Sequence, residues 1–230
     1  MAETRGILIE ALFWPKVAAA TLLAVLLGRW MFRTYRAARR QRLHALDALL
    51  PALDQAEVAL TPARFPVARG RLDGSPIRVE LVPDTLVLRA LPVLWLEARW
   101  RRRHQGRLRL VLRPTGTEYF TANNVCRRRL PPPPGWAEPV EIWGEGGDAG
   151  EILRRLGALN LADFPSLKQV VITEQELRVT LRCKQGERAA YRVLRAAYFD
   201  EEPLEAAQVA QLLGALRTIE RAMSPQGALK

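Results

Sequence analysis

The sequence predicts an α+β fold, with an N-terminal transmembrane helix followed by a mainly antiparallel sheet packed with two helices. Three observations predict it. Trp14 to Phe32 reads WPKVAAATLLAVLLGRWMF, an apolar helical stretch with charges only near its ends. Beyond residue 76, short period-2 segments follow one another with turn residues between them, as consecutive antiparallel hairpins do. Two stretches of helical period, at 150–159 and 203–223, supply the helices.

Composition sets the outer limits. The chain has 230 residues, 49% hydrophobic and 26% charged, which is enough for one domain of ordinary size with a real core and excludes global disorder. The net charge of +11 is unevenly placed: residues 1–140 hold 23 Lys and Arg against 11 Asp and Glu, whereas 141–230 hold 12 against 13. The cationic excess therefore belongs to the N-terminal part, where it suits anionic lipid or nucleic acid. Only four of the 35 basic residues are Lys, a bias that a GC-rich coding sequence produces equally well. Two cysteines exclude a disulfide framework. Cys183 closes an alternating strand and reads as a small buried hydrophobe, and a bridge to Cys126 would require an oxidising compartment.

The elements follow in order. Residues 1–12 carry Glu3, Arg5 and Glu10 and form a tail without the basic region of a signal peptide. The uninterrupted run from Val17 to Gly28 is twelve residues, about 18 Å of helix against a hydrocarbon core of about 30 Å. A span over 13–33 therefore needs Lys16 and Arg29 to snorkel outward while Trp14 and Trp30 sit at the two interfaces. Arg29, Arg33, Arg36, Arg39, Arg40 and Arg42 then form a collar. By the positive-inside rule it places the domain in the cytoplasm, at the inner membrane, and it lies where anionic headgroups are. Residues 34–60 read as a basic juxtamembrane helix with Leu43, Leu46, Leu50 and Leu53 at helical spacing and Pro51 as a kink.

The α+β domain is expected over 61–224, with a tail at 225–230. Asp73-Gly74 marks a turn. Strands are expected at Ile77–Val82, Thr85–Arg89, Val93–Trp100, Arg107–Arg113, Val140–Trp143, Gln169–Thr173, Leu177–Cys183 and Ala190–Tyr198. In RLRLVLR, Leu108, Leu110 and Leu112 share one face, and Arg107, Arg109 and Arg113 share the outward one. With Arg101, Arg102 and Arg103 they make the strongest charge cluster of the domain, a candidate basic surface. Residues 114–138 read as loop. Asp148 is the expected cap of a helix over 150–159, and Pro203 is expected in the first turn of the last helix.

Candidate chemistry is sparse. Gly144-Glu145-Gly146-Gly147-Asp148-Ala149 fits G-x-G-x-x-A, but two acids would face a pyrophosphate and the following strand turns back as a hairpin, so no dinucleotide site is expected. Arg128 to Pro134 matches R-x-x-P-x-x-P and reads as a stiff connector before it reads as a docking ligand. The Trp95–Arg113 tract mixes aromatics with arginines, yet Trp95 and Trp100 fall on opposite sheet faces and cannot form one stacking platform, so nucleic acid is disfavoured. His44 and His104 are the only histidines, neither stands at triad spacing, and no metal or cofactor motif is present. Catalytic, cofactor and metal residues are accordingly expected to be none, and an enzyme is less expected than an interaction or scaffold module with an unknown protein partner. The alternatives are a small-ligand or enzymatic site assembled only by the fold, and membrane-associated nucleic-acid binding.

The layout of a span, a basic collar and a compact α+β domain, together with PDTLVLRALPVLWL and YRVLRAAYFDEEP before a helix, resembles uncharacterised single-pass membrane-anchored proteins of bacteria. The resemblance implies no functional residue.

Overall fold

The computed structural model describes residues 2–62, 64–84, 91–116, 118, 120, 126–136, 139–186, 188, 191, 199 and 202–224, in side chain excepting 2–15, 34, 35, 38, 39 and 162. The chain divides into two units, Met1–Gln41 and Arg42–Lys230.

The first unit is helical. Helix α1 runs from Ala2 to His44, 43 residues without a break. Arg36 stacks on Phe32 at 4.4 Å from the ring centre, one turn away on the same face. Among the described residues no helix is long and apolar enough to cross a membrane, so the expected span gains no support from this finding.

Among its described residues the second unit holds a nine-stranded antiparallel sheet. Its strands are β1 Asp54–Leu60, β2 Pro66–Leu72, β3 Ser75–Asp84, β4 Val93–Arg101, β5 Arg107–Leu112, β6 Arg128–Leu130, β7 Val140–Glu145, β8 Leu167–Ile172 and β9 Glu176–Gln185. They lie in the order β1-β2-β3-β4-β9-β8-β5-β7-β6. Helices α2 (Ala149–Gly157) and α3 (Ala206–Met223) pack on one face, with each other and with β5, β7 and β9. The α+β class and the antiparallel sheet are as the sequence predicts. The core lies between that face and the helices: Leu96, Ala98, Trp100, Leu108, Leu110, Val170, Val179, Leu156, Leu212 and Leu216 are all essentially inaccessible.

Several expectations need correcting. The helix expected over 34–60 ends at His44. A 3-10 turn at Asp47–Ala52 follows, and residues 54–60 are already β1. Pro51 removes a helical hydrogen bond, and Leu46, Leu49 and Leu53 are buried in the domain core, so the chain turns there to bury them. Within 114–138, residues 128–130 form the edge strand β6. Asp148 precedes α2 in a helical conformation and makes no side-chain cap. The last helix starts at Ala206, not at Pro203: Glu205 caps it and Gln208 returns the hydrogen bond, a reciprocal capping box. The strands expected at Thr85–Arg89 and Ala190–Tyr198 lie outside the described residues.

The join between sheet and helix is tight at Gly144. A Cβ there would stand 2.7 Å from both the Ala149 Cβ and the Leu130 Cδ1. Gly144→Ala is therefore expected to destabilise the domain by about 1–3 kcal/mol, read as a lowered urea midpoint.

Candidate functional site

The sheet has a second face, turned away from the helices, and its register produces an arrangement that no single strand contains. Arg69 pairs across to Arg78, Arg78 to Arg99 and Arg99 to Arg178. The same row continues through Val171, Arg109 and Trp143 to Arg129. Six arginines thus occupy one cross-strand row from β2 to β6. Like charges opposite each other destabilise a sheet, and a second row of acids offsets them. Glu80 and Glu97, directly paired between β3 and β4, lie two residues along the strands. Arg78 reaches Glu80 at 2.6 Å, Arg99 reaches Glu97 at 2.6 Å and Glu80 at 3.8 Å, and Arg178 reaches Glu176 at 2.7 Å and Glu97 at 3.9 Å. The Glu97 side chain is 2% exposed, whereas the side chains of Arg78 and Arg99 are 41% and 40% exposed. At Arg78 and Arg99 the acids lie at the base and the guanidinium groups stand above them, whereas Arg178 is 15% exposed against 26% for its partner Glu176.

The two halves of this face differ. From β5 to β7, and over Trp95 near the start of β4, it is covered: Trp95, Val111 and Phe120 form a small apolar cluster with Trp143 beside it, and Trp95 and Phe120 meet edge to face at 5.4 Å. Arg109 is enclosed there, donating to the Phe120 carbonyl at 2.7 Å and lying 4.7 Å over the Trp143 ring. From β2 to β9 the remainder of the face, beyond the buried Asp84 and Trp95, is open. Arg69, Arg71, Arg101 and Arg182 are exposed, so this half carries seven arginines (69, 71, 78, 99, 101, 178, 182) against Glu80, Glu97 and Glu176, and Glu57 of β1 stands directly opposite Arg69.

The basic surface read from Arg101–Arg113 is largely dismantled by these placements. Arg109 faces its expected side but is buried, because the segment after β5 folds over it. Arg113 donates to the carbonyls of Pro165 and Leu167 at 2.7 and 2.8 Å. Arg102 lies 4.2 Å over Trp100, and Arg107 pairs with Glu174 at 3.4 Å and Glu145 at 3.8 Å. Arg101 and Arg103 remain exposed. In the N-terminal unit, Lys16, Arg29, Trp30, Arg33, Arg36 and Arg40 are exposed, while the Trp14 and Arg39 side chains lie outside the described residues; Arg42, the first residue of the second unit, is half-buried over Phe65.

Two clefts hold buried ionisable pairs. One, of about 360 Å³, is lined by Arg103, His104, Asp148, Glu151, Arg155 and Glu220 among others. His104, 4% exposed in side chain, points Nε2 at Glu220 from 3.6 Å, and Arg102 Nε lies 3.8 Å from the other carboxylate oxygen. None of these facing atoms is within a good hydrogen bond. Burial pushes the His104 imidazole below its ordinary value, helped by the Arg102 charge, and pushes the Glu220 carboxyl up against the pull of Arg102. Both shifts favour neutral forms. The second cleft, of about 490 Å³, lies where β3, β4, β5, β8 and β9 end on one side of the sheet. Glu118 and Lys168 are buried at its floor, 2.9 Å apart. Burial alone would raise the Glu118 carboxyl, but its bonds from Lys168 and Thr115 outweigh that and hold it at about 2. Sequence reading missed both pairs, because each joins residues more than 45 positions apart.

Both cysteines are free thiols, and burial raises Cys126 and pushes Cys183 up to about 11. Among the described residues no group of three or more His, Cys, Asp or Glu side chains is placed to hold a metal ion. No family model matches the chain, and no curated protein or solved structure is significantly similar to it.

Proposed function

We propose that this protein is a membrane-tethered interaction module: α1 anchors the chain, and the open sheet face of the cytoplasmic domain engages a protein partner. One observation carries the tether. Every exposed large hydrophobic side chain among the described residues lies between Val17 and Phe32, at 39% to 65% exposure. A helix apolar on all sides belongs in lipid or in a protein core. To span, this one must draw on the residues from Phe13 as well, and residues 13–33 then give about 31 Å of helix. The exposed arginines at 29, 33, 36 and 40 follow on the C-terminal side, where they suit a cytoplasmic interface.

The topology test uses Gly147, an exposed position, as Gly147→Cys in a background lacking Cys126 and Cys183. An impermeant maleimide is expected to label it only after the cells are permeabilised. Labelling of intact cells would overturn the cytoplasmic assignment.

A second reading, a small-ligand or enzymatic domain, is favoured by the cleft where His104 and Glu220 face each other without a good hydrogen bond. A ligand-observed NMR screen of fragments tests it. Binding that Glu220→Gln abolishes would support this reading, and an empty screen would remove it.

A further inference from the structure

Resting on the reading of the open sheet face as the interaction surface, we infer that its partner is an acidic α-helix laid along the row Arg69–Arg78–Arg99–Arg178. Charge and spacing argue for it. Adjacent strands set these four side chains about 4.8 Å apart. Acidic residues repeating every three to four positions, as at i, i+4, i+7 and i+11, recur on a helix face at about 5.3 Å per step, so the two series keep pace over the row. An extended strand presents same-face side chains at about 6.8 Å and falls out of step after two.

The same geometry argues against a nucleic-acid strand. Glu80 and Glu97 lie directly beside the row, so a continuous phosphate backbone would run next to two carboxylates. Base stacking is not provided either: Trp95 and Trp100 are buried, and Trp143 is engaged by Arg109. A helix meets the arginines with one stripe and turns its other residues over the glutamates. A guanidinium bound to one carboxylate keeps donors for a second. Arg69 is exposed at the β2 end of the row, with the exposed Glu57 of β1 opposite it, and Arg178, 15% exposed, is the most enclosed of the four.

The test uses the full-length chain in detergent micelles and two alanine-based helical peptides of equal length and charge. One carries its glutamates in a single stripe, the other spreads them around the helix. The striped peptide is expected to bind at least ten-fold more tightly, and Arg69→Ala combined with Arg78→Gln is expected to weaken it at least ten-fold. Arg69→Ala alone, at an exposed site, is expected to give a loss of about three-fold with an unchanged melting temperature. Equal binding of the two peptides, or binding indifferent to both variants, would overturn the helix proposal. If a single-stranded oligonucleotide binds through these arginines and neither peptide does, the partner class is wrong while the face stands as an interaction surface. If no probe binds in an arginine-dependent way, the open-face reading fails with it.

Discussion

Lys168→Met is expected to destabilise the domain by about 3 kcal/mol. The ammonium is 2.9 Å from the Glu118 carboxylate, which is 3% exposed, and it also donates to the Arg113 carbonyl. Removing one member of a buried pair leaves a charge desolvated without its counterion, which costs far more than the pair contributes as a pair. The pH dependence tests the same assignment independently. Glu118 titrates in the fold at about 2, below its ordinary 4.5, so the unfolded chain binds the proton more readily. The stabilisation is complete above 4.5 and is lost as pH falls from there toward 2, with an upper size of about 3 kcal/mol. Urea midpoints followed by tryptophan fluorescence from pH 7 to pH 3 should show this acid loss in the native chain. The Lys168→Met profile should be flatter over the same window.

Trp100→Ala is expected to cost about 3–5 kcal/mol, the range for an aromatic deleted from a close-packed core. Trp100 is 1% exposed, donates its Nε1–H to the Leu72 carbonyl at 3.1 Å, and carries Arg102 on its ring at 4.2 Å. It therefore ties β4 to the end of β2 and holds the start of the β4–β5 connection. Trp100→Phe keeps an aromatic ring but loses the donor to the Leu72 carbonyl, and is expected to cost about 1 kcal/mol. A thermal melt of both variants checks the order. Equal stability of Trp100→Phe and wild type would show that the hydrogen bond contributes nothing.

Much of the sheet was legible because its residues alternate. Leu177, Val179 and Leu181 against Arg178 and Arg182, and Leu108 and Leu110 against Arg107, announce period-2 strands with one buried face. Strand β1 escaped notice because DQAEVAL, an edge strand, pairs on one side only and shows little apolar alternation. Strand β6 escaped because three residues are too few for any period. The arginine row was invisible for a stronger reason. Arg69, Arg78, Arg99 and Arg178 become neighbours through register, and the last joins only because β9 inserts beside β4. Alternation gives the face of each arginine and cannot give its height along the sheet. Burial of Arg109 was likewise hidden, since an alternating strand reads the same whether its polar face meets water or a covering segment. The cleft pair His104–Glu220 and the pair Glu118–Lys168 join elements far apart in sequence, and neither has a motif.

The central claim is that α1 anchors the chain in lipid, and extraction of membranes with alkaline carbonate tests it most directly. The full-length protein is expected to stay in the membrane pellet, and a variant carrying Leu22→Glu, Val25→Glu and Leu26→Glu is expected to appear in the supernatant. Release of the unmodified chain by carbonate would contradict the account.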